Sequence, residues 1–149
     1  MKGMKDKMSK QEIDEIDLKI LQLLVENSLQ SNKEIGEKVH LTGQAVGARI
    51  RKLQDLEVIE GYTLRCNPGK LGLQVSAFIT VFMKSAETHT SFQHYIQRTQ
   101  PIVEAHRISG EGCYLLRVQV PTPMDLNELL GEMVQFGNYK VNLSIGQLK

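Results

Sequence analysis

Apolar positions recur every three to four residues as far as Leu56, and from Val75 onward that period trades places with strict alternation. The first pattern predicts three helices. Ile13, Ile16, Ile20 and the Leu23/Leu24 pair form one stripe over Glu12 to Asn27, with Asp14 as N-cap and Asp17 in the first turn, where negative charge suits the helix dipole. Ser31 and Asn32 are good N-caps for a short second helix that carries Ile35 and Val39 on one face and ends near His40. Thr42 then caps a third, whose apolar side steps through Val46, Ile50 and Leu53 to Leu56. The gap between the second and third helices is too short for a flexible loop. Ser31 to Leu56 therefore reads as a helix-turn-helix, and the first helix supplies the packing that such a unit needs to close a core.

After Leu56, Val58, Ile59, Tyr62 and Leu64 suggest a short extended segment, and NPG followed by KLG is turn chemistry. The hinge is expected around Arg65 to Gly72. A strand after the third helix could serve as a wing on DNA, although linking two domains is the favoured role. Val75 to Lys84 is β-prone, Phe92, Tyr95 and Ile96 share a helical face, Pro101 breaks the chain, and Ile102 to Ile108 is a strand. Tyr114, Leu116, Val118 and Val120 alternate with Leu115, Arg117 and Gln119. Thr122, Pro123 and Asp125 start a helix bearing Leu126, Leu129, Leu130 and Met133. Tyr139, Val141, Leu143 and Ile145 then alternate with polar neighbours. The order is βαββαβ, a ferredoxin-like arrangement.

The expected fold class is thus α+β. A flexible basic tail (1–11) precedes a helix-turn-helix, winged-helix-like domain (12–64), a linker (65–74) and a ferredoxin-like sensing and oligomerisation domain (75–149). An antiparallel sheet covered by helices on one face leaves the other open, and such patches mark association. Two chains are therefore expected to pair through their sheets.

The third predicted helix is the candidate for chemistry. Off its apolar stripe lie Gly43, Gln44, Gly47, Ala48, Arg51 and Lys52, with Arg49 at the border and Thr42 at the cap. A small, basic face suits the major groove of double-stranded DNA: Gly and Ala permit close approach, Gln pairs with adenine edges, and Arg reaches guanine or phosphate. Two glycines on a merely solvated helix would each cost about 1 kcal/mol relative to Ala. A surface helix that binds nothing is the competing explanation.

Length and composition limit the alternatives. At 149 residues with 41% hydrophobic content, the chain can bury one ordinary core or two small ones. No apolar run approaches the ~20 residues of a membrane span, and MKGMKDKMSK lacks the apolar core of a signal peptide, so a cytoplasmic, nucleoid-associated protein is expected. The net charge of +1 excludes a polycation, but Thr42 to Gln54 holds three bases and no acid. The N-terminal lysines read as a solvated tail, with phosphate contact as the alternative. Cys66 and Cys113, with His40, His89, His94 and His106, show no metal-ligand spacing, and no cofactor is expected. No nucleophile sits with a base at useful spacing, and His94 and His106 lack an obvious partner, which argues against an enzyme.

Three stretches in this order, IDEIDLKIL, VGARIRKLQDLEVIEGY and ISGEGCYLLRVQVP, resemble the Lrp/AsnC family of bacterial and archaeal transcription regulators over Ile13 to about Gly146. The resemblance implies a DNA-binding regulator that dimerises through the C-terminal domain, assembles to octamers, bends DNA and responds to an amino acid or other small-molecule effector. It places the effector site at Gly110, Glu111, Gly112, Cys113 and Tyr114. Three departures stand out. His40 occupies the turn where the family usually has Gly, and Glu57 follows the recognition helix where Gly is common. Gly112 and Cys113 replace the aromatic and second acid of amino-acid binders, and a neutral thiol is a poor substitute for a carboxylate as an acceptor of ammonium. A tight Gly-rich turn, or a redox role for Cys113, are the other readings of that loop. The competing function is a nucleoid-organising protein with little sequence preference.

Overall fold

The fold is taken from a computed structural model, which describes residues 13–149; the basic tail lies outside them. The chain divides into two compact units, one ending at Arg65 and the other beginning at Cys66.

The first unit is a helical trio: α1 (Glu15–Glu26), α2 (Asn32–Val39) and α3 (Gly43–Asp55). Each begins where the sequence supplies a side-chain acceptor. Asp14 and Asp17 form a reciprocal capping box on α1, Ser31 and Glu34 do the same on α2, and Thr42 Oγ1 accepts the Ala45 amide on α3. Ile20, Ile35, Val39 and Val46 are buried together, with Ile16, Leu23, Leu24, Leu41 and Ile50 packed against them. Both helix exits pass through the left-handed region, at His40 (φ 58°) and Glu57 (φ 56°). After α3 the Glu57 amide donates to Gln54 and the Val58 amide to Leu53, which are the paired bonds of a Schellman end. The helix ends as it would with glycine, and a Glu in that conformation bears the steric cost. The expected extended segment from Val58 to Leu64 forms no strand within the chain.

The second unit opens with a 3₁₀ turn at Gly69–Leu71. It continues as β1 (Val75–Met83), α4 (Thr88–Arg98), β2 (Ile102–Arg107), β3 (Tyr114–Val120), α5 (Pro123–Met133) and β4 (Gly137–Leu143). The sheet runs β2-β3-β1-β4 and is antiparallel throughout. Alternation along each strand sends Ala77, Ile79, Val81, Leu116, Val118 and Val120 into a core with Phe92 and Tyr95 of α4 and Leu126, Leu129 and Met133 of α5. The opposite positions, including Ser76, Phe78, Leu115, Arg117 and Gln119, make up the uncovered face. At the start of β4 the backbone comes so close to β1 that a Cβ on Gly137 would lie 2.0 Å from the Phe82 carbonyl oxygen.

Candidate nucleic-acid interface and sensing loop

The apolar stripe of α3 turns Val46 and Leu53 into the core, which leaves Gln44, Ala48 and Arg51 exposed at i, i+4, i+7 spacing. Thr42 is exposed at the head of the same helix. Arg51 makes no ion pair among the described residues.

The two glycines flank this stripe on the side of α2. A Cβ on Gly43 would sit 3.2 Å from the Lys33 backbone nitrogen, and one on Gly47 would sit 2.9 Å from Asn32 Nδ2. Their smallness lets α2 and α3 approach each other, so it needs no groove to explain it. Gly36, which the sequence reading passed over, is tighter still, because its Cβ would lie 2.4 Å from the Leu41 carbonyl oxygen.

On the opposite flank, Arg49 and Lys52 turn toward α1. Arg49 Nη1 donates to Asp14 Oδ2 at 2.6 Å and to Asp17 Oδ1 at 2.8 Å, and the Lys52 ammonium binds the other oxygen of Asp17. Asp17 is fully buried, whereas the side chains of Arg49 and Lys52 keep about a quarter of their surface, at 27% and 24%. A buried carboxylate needs such partners. Burial pushes the Asp17 carboxyl up, but Lys52, the Asp14 amide and Arg49 outweigh it and hold it down at about 2. The arrangement was visible in outline, since two acids three residues apart at the start of α1 match two bases three residues apart in α3, but the helix-dipole role of Asp17 hid it.

The five loop residues do not gather at one point. Gly110 (φ 108°) and Gly112 (φ 93°) are both left-handed, and a Cβ on Gly112 would sit 2.4 Å from Thr80 Cγ2, so a side chain there would be strained and would need Thr80 to move. Glu111 is exposed and pairs with Lys140 of β4, whose hydrogen bond and charge hold the carboxyl below its usual range. The Cys113 amide donates to the Val81 carbonyl at 2.8 Å, and its thiol is half-buried against the core. Tyr114 is buried beneath α4, with its ring edge-on to Phe92 at 5.1 Å and its hydroxyl within 2.9 Å of His89 Nδ1 and 3.0 Å of Gln93 Nε2. It lines a shallow depression of about 260 Å³ with Gln93, Ile96, Gln97, Ala105, His106 and Arg107.

A helix-turn-helix followed by a ferredoxin-like α+β domain is the architecture of a two-part DNA-binding regulator. The AsnC-type helix-turn-helix domain matches residues 13–54, and the Lrp/AsnC ligand binding domain matches residues 76–149. The HTH-type transcriptional regulator LrpB of Bacillus subtilis is 45% identical over 138 residues, covering 93% of this chain and 92% of the relative. The solved structure of B. subtilis LrpC superposes with a TM-score of 0.88 at 28% identity, covering 93% of this chain and 98% of the other. A Neisseria meningitidis transcriptional regulator in complex with L-Met shares the fold at a TM-score of 0.87 and 22% identity, over 93% of each chain. The chain belongs to the Lrp/AsnC family. It is a DNA-binding transcription regulator with a ligand-binding domain, and not an enzyme. Among the described residues no helix is long and apolar enough to cross a membrane.

Proposed function

We propose that two chains pair through the uncovered faces of their sheets and present two α3 helices to successive major grooves, about 34 Å apart. The observation that carries this reading is the exposed stripe Gln44, Ala48 and Arg51 on a helix whose other sides are occupied by α1, α2 and the core. In this reading Gln44 meets an adenine edge, Arg51 a guanine, Ala48 leaves room for a thymine methyl, and Thr42 stands near the phosphates. Sheet pairing is supported by Phe78, which is 41% exposed in the middle of the uncovered face, between Arg117 and Asn142 of the neighbouring strands. Several dimers gathered into an octamer would bend DNA around themselves, a cost that depends on sequence even where no base is touched.

An effector of amino-acid type is supported by the ligand-binding domain and by the relative solved with L-Met. At the loop, Glu111 offers one carboxylate, already opposed by Lys140, so a zwitterion would exchange with that ion pair. Thermal-shift screening of free amino acids against the purified protein tests this directly.

The deciding experiment is recovery of genomic fragments by the purified protein at about 150 mM salt, since unsalted affinities are uninterpretable. A few strongly enriched sites sharing a near-palindrome establish specific regulation. Even recovery favouring only bendable or A·T-rich sequence establishes nucleoid organisation instead. Arg51→Ala should weaken binding to an enriched site by ~1–3 kcal/mol and blur preference at one base.

A further inference from the structure

The N-cap acid and one first-turn acid of α1 form a closed set with two bases of α3: Asp14 with Arg49, and Asp17 with both Arg49 and Lys52. Their formal charges sum to zero. Asp17 has no exposed surface, and both of its oxygens are engaged, one by Arg49 and the other by Lys52 and the Asp14 amide. Detaching either base to reach a phosphate would strip a buried carboxylate of a partner, which is costly. Arg51, one residue from Lys52 and two from Arg49, lies outside this set on the exposed stripe.

We propose that Asp14 and Asp17 are specificity-determining residues that hold Arg49 and Lys52 away from the phosphates, leaving Arg51 as the cation of α3 that DNA meets. The proposal rests on the reading that α3 faces DNA. Its logic is that phosphate contacts raise affinity for every sequence alike, while base contacts discriminate. A helix that cancels two of its three bases internally gives up sequence-blind affinity and keeps the discriminating contact.

Asp14→Asn opens the set without dismantling the unit. Asn caps a helix as well as Asp does, and Asp14 is 47% exposed, so the variant removes one negative charge while keeping the cap. Arg49 keeps its bond to Asp17 in that variant, so Asp14→Asn/Asp17→Asn is the one that frees both bases. On a mixed-sequence duplex of about 30 base pairs, the affinity it loses between about 50 and about 200 mM salt should deepen about 3.5-fold for each base released on each helix engaged, the effect of one added phosphate contact. The ratio of affinities for a genomically enriched fragment over that duplex should fall. Lys52→Gln in the parent should leave the salt slope unchanged, because Lys52 is already spent on Asp17. Circular dichroism melts check that each variant folds. A slope in the folded double variant equal to the parent's, or one flattened by Lys52→Gln, overturns the proposal. Arg51→Ala separates it from the reading beneath: if that variant binds both duplexes as the parent does, α3 is not the DNA-facing helix. If it weakens binding while the double variant keeps the parent's slope, the ion-pair proposal alone fails.

Discussion

The two units of this chain solve the packing problem with different materials. The N-terminal trio has a small aliphatic core and adds a buried carboxylate with two cations, together with glycines at helix contacts. The C-terminal unit buries a larger core centred on aromatics, in which Phe92 meets Tyr114 and Phe136 at 5.1 Å each and stacks on Tyr95 at 6.0 Å. No charged side chain of that unit is buried among the described residues. A sheet specifies its geometry through hydrogen-bond register, because a slip of one residue turns every side chain to the wrong face. Three short helices have no register, so directional ion pairs and close backbone approaches fix how they cross.

The largest effect should come from the aromatic core. Phe92→Ala is expected to cost about 3–5 kcal/mol, measured by urea unfolding followed through tyrosine fluorescence. A loss below about 1 kcal/mol would mean that the sheet unit does not depend on its aromatic centre. Acid comes next and should strike the other unit first. The folded Asp17 carboxyl lies below its ordinary value of 3.8, at about 2, so its contribution is complete above that ordinary value and is lost as pH falls through the folded one. The difference corresponds to about 2 kcal/mol. Glu104 and Glu111 are also held low, by His106 and Arg117 and by Lys140, but these groups are solvent-screened. Amide NMR signals of α1 to α3 should therefore fade before those of the sheet between pH 4 and 2. Simultaneous loss would erase the contrast. The smallest effect is a gain: Glu57→Gly relieves a left-handed residue at the end of α3 and should stabilise the trio by ~1 kcal/mol, read as a raised melting temperature. A lower melting temperature would show that the Glu57 side chain contributes more than its backbone strain costs.

Much of this molecule was legible along the chain because its signals are local. Asp14, Ser31, Thr42 and Thr122 each cap a helix through an amide three residues away, and period-two alternation over Tyr114 to Val120 decides which side chains point inward wherever the strand lies. His40 takes the left-handed conformation that the turn after its helix requires, whereas Glu57, a departure from glycine that pointed to a different helix end, adopts the glycine-like conformation all the same. The destinations of Arg49, Lys52, Gly43 and Gly47 were not legible in that way, since a helical wheel separates inside from outside but does not say which neighbour flanks the helix. Those four residues looked like one basic, small face, yet in three dimensions they divide between α1 and α2, and Gln44, Ala48 and Arg51 remain outward. The loop from Gly110 to Tyr114 behaves likewise, because Thr80, Val81 and Lys140, which shape it, come from strands far away in sequence. Contacts within a turn of helix or a pleat of strand belong to the sequence, whereas the partner of a charge or the limit on a side chain's size belongs to the fold that brings distant segments together.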